Sequence, residues 1–195
     1  IAGSISCLPP GFDTAAYPDA GTELAAYEEL AALLAELGVD LLALEMMEDV
    51  EHAARACEAV RRVGLPFWLG VSGRLAADGR LAAYDFPHTS LDSILGALLG
   101  YEPVVVNVMH TPIDAVPAAL ELLERKWRGF RGVYPEIGEA GGGAAGSTPP
   151  PSPSALAESA LEWVHAGARV IGGCCGTTPA HIKALRDAVD RMPVT

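Results

Sequence analysis

Short apolar runs alternate with longer amphipathic stretches along the whole chain. The runs predict strands at Ile1–Ser6, Val39–Glu45, Pro66–Val71, Pro103–Met109, Gly129–Tyr134 and Ala168–Gly172. The stretches between them predict helices over Glu23–Leu37, Val50–Arg62, Leu91–Leu99, Ile113–Lys126, Pro153–Ala166 and Pro179–Arg191. The strand segments are rich in Val, Ile and Leu without clean alternation, the pattern of parallel strands covered by helices on a buried sheet. Strand and helix in regular succession define an α/β fold with a parallel sheet.

Helix punctuation agrees with this reading. Thr178 before Pro179 has the form of an N-cap followed by a first-turn proline. Gly38 and Gly64 stand where helices should stop. The stretch 139–153 is Gly, Ala, Ser and Pro without hydrophobic period, and reads as a flexible loop inside one domain of residues 1–195, because the βα pattern resumes after it.

Six βα units fit either an open doubly wound sheet or an incomplete (β/α)8 barrel of the TIM type, whose complete form runs to about 250 residues. The sequence opens on Ile1, already inside a strand and without an initiator methionine, so the expectation is that N-terminal βα units are absent. The exposed parallel edges of such a sheet make a homo-oligomer plausible.

Composition narrows the function. The 13 basic residues against 25 acidic ones give a net charge of -12, which argues against nucleic acid, since phosphate binding needs clustered Lys and Arg. No run of eighteen apolar residues is present to span a membrane, and no secretory leader is recognisable. The expectation is a cytoplasmic protein. The four cysteines are too few for a disulfide scaffold, and adjacent Cys174 and Cys175 cannot bridge each other without strain.

The chemistry concentrates in Ile171-Gly172-Gly173-Cys174-Cys175-Gly176-Thr177-Thr178-Pro179, at the end of the last strand. Carboxyl ends of parallel strands carry active sites, and two soft sulfur ligands there suit zinc. Two other readings compete: a glycine turn that cradles a phosphate at a helix N-terminus, and cysteines acting as small hydrophobes.

The stretch Gly172-Gly173-Cys174-Cys175-Gly176-Thr177-Thr178-Pro179-Ala180-His181-Ile182 closely resembles the C-terminal signature of the homocysteine S-methyltransferase family. Further segments match in order: Ala2-Gly3-Ser4-Ile5, Leu44-Glu45, Gly132-Val133-Tyr134-Pro135 with Gly138-Glu139, and Glu162-Trp163-Val164 with Ala166-Gly167-Ala168. The resemblance covers essentially the whole chain and the last six of the family's eight βα units.

It implies zinc-dependent transfer of a methyl group from a small donor to the thiol of homocysteine, giving methionine. It assigns Cys174 and Cys175 as two of three protein ligands to zinc and Glu45 to the amino group of homocysteine. By residue chemistry alone Glu45 would be an ordinary acid opening a helix. The donor stays open among sulfonium, betaine, folate and cobalamin types; with no folate or cobalamin module in view, a small sulfonium is favoured. The alternatives are a barrel of the same family that binds metal without catalysis, and a phosphate-binding α/β barrel enzyme.

The chain departs from the family pattern at two places in its own segments. The family's third ligand is a cysteine in an Asn-Cys context after the sixth strand, whereas this chain reads Val106-Asn107-Val108-Met109-His110-Thr111-Pro112. His110 is the expected substitute, since Cys2His sets bind catalytic zinc, with Cys7 as the alternative. The family's usual Asn after Tyr-Pro is Glu136 here. Met109 and Cys57 are expected in the core, the latter on one helical face with Val50, Ala53, Ala54 and Val60. His52 and His165 are expected at the surface, His88 in a loop near the mouth, and His181 in a structural role in the last helix.

Overall fold

The computed structural model describes residues 1–7, 16–138 and 150–192. Six parallel strands form one sheet in consecutive order, β1 (Ala2–Ser6), β2 (Leu41–Glu45), β3 (Phe67–Val71), β6 (Val105–Pro112), β7 (Phe130–Glu136) and β8 (Ala168–Ile171). A doubly wound sheet reverses strand order at a switch point. Strictly consecutive neighbours, each reached through a helix, are instead the arrangement of a (β/α)8 barrel, here an incomplete one. Among the described residues β1 pairs only with β2, and β8 only with β7.

The helices are α1 (Ala20–Glu36), α2 (Val50–Val63), α3 (Leu91–Leu98), α4 (Val116–Lys126), α5 (Pro153–His165) and α6 (Pro179–Asp190). Each expected strand and helix is present, with ends moved by a few residues. Helix α1 begins three residues before the expected start because the Asp19 carboxylate accepts from Gly21 N–H and Thr22 N–H, capping its orphan donors. Most of the expected flexible loop at 139–153 lies outside the described residues, and α5 already begins at Pro153. No helix among the described residues is long and apolar enough to cross a membrane.

Helix α2 buries Ala53, Ala56, Cys57, Ala59 and Val60, so Cys57 is a core residue as expected. His52 departs from its expected surface position. Glu23 on α1 is fully buried and needs neutralising partners, which the facing α2 supplies. The His52 Nδ1 lies 2.9 Å from both Glu23 carboxylate oxygens, and Arg55 Nη1 donates to Glu23 Oε2 at 2.7 Å. The His52 ring stacks on Tyr17 at 3.7 Å.

Between β3 and α3 the chain inserts an antiparallel hairpin, β4 (Gly73–Leu75) and β5 (Leu81–Ala83), turning at Gly79 with φ of 78°. The hairpin is tied to β6 by a hydrogen bond from Gly73 N–H to Thr111 Oγ1 at 3.0 Å. It delivers Tyr84 to the carboxyl ends of the strands. Inside the arc, Gly132 accommodates Asn107, whose Oδ1 would sit 2.0 Å from an added Cβ. A side chain at 132 would therefore collide with the Asn107 side chain and with Val170 of β8.

Candidate metal centre

The carboxyl end of β8 runs into the cysteine loop, and β7 holds that loop in place by three backbone bonds. Gly172 N–H donates to Val133 O at 3.0 Å, Cys174 N–H to Pro135 O at 3.2 Å, and Ile137 N–H to Cys175 O at 3.0 Å. Loop and strand are thus zipped together past the end of β8. The loop's exit is fixed by His181, whose Nδ1 accepts from Thr178 N–H at 3.2 Å. Its Nε2 then carries the proton and donates to Pro151 O at 3.0 Å. His181 has the expected structural role.

On β6, His110 sits at a bulge. The pairing with β7 slips between Met109 and Pro112, and His110 has φ of 43°, left-handed backbone that a non-glycine residue adopts at a cost of about 1 kcal/mol or more. Buried Thr111 braces the bulge, its hydroxyl donating to Met109 O at 2.8 Å while accepting from Gly73. The strand was expected to end at Met109; the irregularity keeps it paired to Pro112 and turns the imidazole toward the cysteines. Met109 is buried as expected, and its Sδ accepts from Met46 N–H at 3.1 Å.

His110 Nδ1 lies 3.7 Å from Cys174 Sγ and 3.5 Å from Cys175 Sγ, and the two sulfurs are 3.9 Å apart. These three ligand atoms form a cluster in which all lie within 4.8 Å of one another. A tetrahedral zinc, with Zn–S of about 2.3 Å and Zn–N of about 2.0 Å, requires S···S of about 3.8 Å and S···N of about 3.6 Å. The residues present fit a zinc ion to within the usual tolerance for such a site. Without a cation, burial and the neighbouring Cys175 push the Cys174 thiol up to about 11.

Cys7 does not join this cluster. It is buried after β1, donates to Met46 O at 3.3 Å, and burial pushes its thiol up to about 12. His88 and His165 are exposed and belong to no such group among the described residues.

Glu45 ends β2 and faces the same interior. Burial above all, with a smaller contribution from the Glu45 charge, raises the Cys174 and Tyr134 pKa values. The Ser4 hydroxyl of β1 donates to Glu45 Oε2 at 2.5 Å. The next residue, Met46, has φ of 57° and turns the chain sharply away, leaving Glu45 at the rim.

Two residues at the site escaped the sequence reading of function, Tyr84 and Glu136. The Tyr84 ring lies 4.6 Å from the His110 ring, and burial, with the nearby Glu136 carboxylate adding to it, raises the pKa of its hydroxyl. Glu136 Oε2 lies 3.9 Å from His110 Nε2. Beside them Tyr84, Ile113, Asp114, Glu136 and Pro151 line a cleft of about 430 Å³. The departure of residue 136 from the family's usual Asn was visible in the sequence; its proximity to the other departure, at residue 110, was not.

An incomplete (β/α)8 barrel with a Cys-Cys-His cluster at the carboxyl ends of its strands is the class that fold and site define. The family model described as homocysteine S-methyltransferase matches residues 1–189, and the chain belongs to that family. Homocysteine S-methyltransferase 1 of Zea mays is 30% identical over 161 residues, covering 78% of this chain and 47% of the relative. The apo crystal structure of the homocysteine methyltransferase MmuM from Escherichia coli superposes with a TM-score of 0.70 at 26% identity, covering 96% of this chain and 62% of that one. Its metallated form gives a TM-score of 0.68 at 26% identity, with 95% and 60% covered. The chain spans about half the length of the homocysteine S-methyltransferases it matches.

Proposed function

We propose that this protein transfers a methyl group from a small donor to the thiol of homocysteine, using zinc held by His110, Cys174 and Cys175. The observation that carries this reading is the triangle of ligand atoms, with sides of 3.5, 3.7 and 3.9 Å, close to those tetrahedral zinc requires. Family membership and the existence of a metallated form of a related methyltransferase support it.

Zinc bound there would supply the positive charge that keeps a thiol ionised near neutral pH, where a free thiol with a pKa of about 8.5 is mostly protonated. Three protein ligands leave one position of a four-coordinate set for substrate. Glu45, oriented by Ser4 and on the same interior as Cys174, offers a carboxylate to the substrate ammonium. That contact would hold the amino acid with its thiol toward the cysteines.

The cleft beside the site combines the Tyr84 ring with the carboxylates of Asp114 and Glu136. An aromatic face and negative charges suit a cationic methyl group, so a small sulfonium such as S-methylmethionine is the favoured donor. Its volume of about 430 Å³ falls in the range of small-ligand pockets.

The test is zinc per chain by elemental analysis of protein purified without chelators, followed by methionine formation from homocysteine with sulfonium and betaine donors. About one zinc per chain and a donor-dependent product are expected. Zinc without transfer to any donor would leave a metal-binding barrel without catalysis. Failure to take up zinc under reducing conditions would overturn the reading at its base.

A further inference from the structure

The two departures from the family pattern, a histidine where a cysteine ligand is usual and a glutamate where an asparagine is usual, meet in space. His110 Nε2 and Glu136 Oε2 are 3.9 Å apart, with side chains only 15% and 13% exposed. Glu136 Oε2 is buried and has no hydrogen-bond partner among the described residues, a costly arrangement for a carboxylate oxygen. We infer that Glu136 is the positioning residue of this metal centre, accepting the Nε2 proton of His110 when His110 Nδ1 faces a metal. This rests on the zinc reading above.

The chemistry requires such a partner for imidazole and not for a thiolate. A ligating imidazole commits Nδ1 to the ion and leaves Nε2–H to be satisfied; a carboxylate there fixes the tautomer, holds the ring and raises its basicity. It is Nδ1, not Nε2, that lies 3.5 and 3.7 Å from the two sulfurs, so Nε2 is the nitrogen free to donate. The backbone places Glu136 firmly for this task. Its neighbours on either side, Pro135 and Ile137, bond through their backbones to Cys174 and Cys175. Tyr84 closes the other side, its ring centroid 4.6 Å from that of His110. The inferred bond requires the two atoms, now 3.9 Å apart, to close by about 1 Å.

The experiment is a double-mutant cycle on zinc affinity, read by competition with a chromophoric chelator and by the Co²⁺ absorption spectrum. In the His110 background, Glu136→Leu is expected to weaken zinc about 10- to 100-fold and to shift the Co²⁺ bands. Glu136→Gln, which keeps an acceptor, should lose less. In a His110→Cys background no imidazole remains to orient, and Glu136→Leu should change affinity by less than about twofold, within ordinary additivity. Equal losses in both backgrounds would make Glu136 merely structural and overturn the inference. So would an unchanged affinity in Glu136→Leu while the unsubstituted protein binds zinc. An unsubstituted protein that binds neither Zn²⁺ nor Co²⁺ would overturn the zinc reading itself, and this inference with it.

Discussion

The imidazole Nδ1 of His110 lies 3.5 Å from the Sγ of Cys175, although 65 positions of chain separate the two residues. Two strand ends on either side of β7 create the contact: β6 carries the histidine on a bulge, and the loop leaving β8 carries the cysteine, with β7 bonded to both. The proposed donor set is Cys2His, its three ligand atoms all within 4.8 Å of one another.

Loss of any ligand should therefore show directly in metal retention. Cys174→Ser and Cys175→Ser are each expected to lose zinc on dialysis against a mild chelator. His110→Ala should weaken zinc by more than about 100-fold, beyond the effect of losing an outer-shell partner. His110→Cys should retain it. Elemental analysis after dialysis decides the matter, and full zinc in both serine variants would remove the site.

Glu45 is predicted to act on the substrate and not on the ion. A charge-assisted contact is worth about 1.5–3 kcal/mol, so Glu45→Gln should raise the KM for homocysteine roughly 10- to 100-fold. Zinc content should stay unchanged. Ser4→Ala, which removes the hydroxyl donating to Glu45 Oε2, should give a smaller shift in the same direction. Loss of zinc in Glu45→Gln would instead make Glu45 a support of the site.

Much of this arrangement was legible before the structure. All six parallel strands and all six α-helices follow from apolar runs and amphipathic periods, because each βα unit buries its own faces and local pattern reports them. Cys174 and Cys175 stood out as adjacent thiols in a glycine turn. The hairpin was missed, although Arg74-Leu75-Ala76-Ala77-Asp78-Gly79-Arg80-Leu81-Ala82-Ala83 carries an Asp-Gly turn between repeated flanks, the strongest short-range hairpin signal. The inward turn of His52 had no local signal, since a buried carboxylate on another helix determines it. Nor did the meeting of His110 with Glu136, which depends on the register of β6 against β7 and on the bulge between Met109 and Pro112.

The α1–α2 packing offers a stability test independent of function. Glu23 is fully buried between His52 and Arg55. Glu23→Ala leaves Arg55 without its buried partner and should destabilise by about 3–5 kcal/mol. Glu28, which pairs with Arg62 nearer the surface, provides the control; Glu28→Ala should cost no more than about 1 kcal/mol. Urea unfolding of the three proteins side by side measures both differences. Similar values for the two variants would mean that the buried cluster contributes nothing special.

Glu48 should govern part of the pH dependence of folding. Its side chain is fully buried, Oε2 accepts from Asp85 N–H at 2.6 Å, and Oε1 has no hydrogen-bond partner among the described residues. Burial pushes its pKa up from the ordinary 4.5 to about 8, with the Asp85 charge adding to the rise and the Asp85 N–H and Arg74 opposing it. Between those two values the folded protein keeps the Glu48 proton while the unfolded chain releases it. The unfolding free energy therefore falls as pH rises through this window: the full contribution is present below about 4.5 and lost by about 8. Glu48→Gln keeps an acceptor for Asp85 N–H and has no proton to lose. Relative to this variant, the unsubstituted protein should lose on the order of 3 kcal/mol between about pH 5 and about pH 8. The difference between their urea-unfolding curves isolates Glu48 from the other carboxylates. Parallel pH profiles would show that Glu48 ionises in the folded protein as readily as in the unfolded chain.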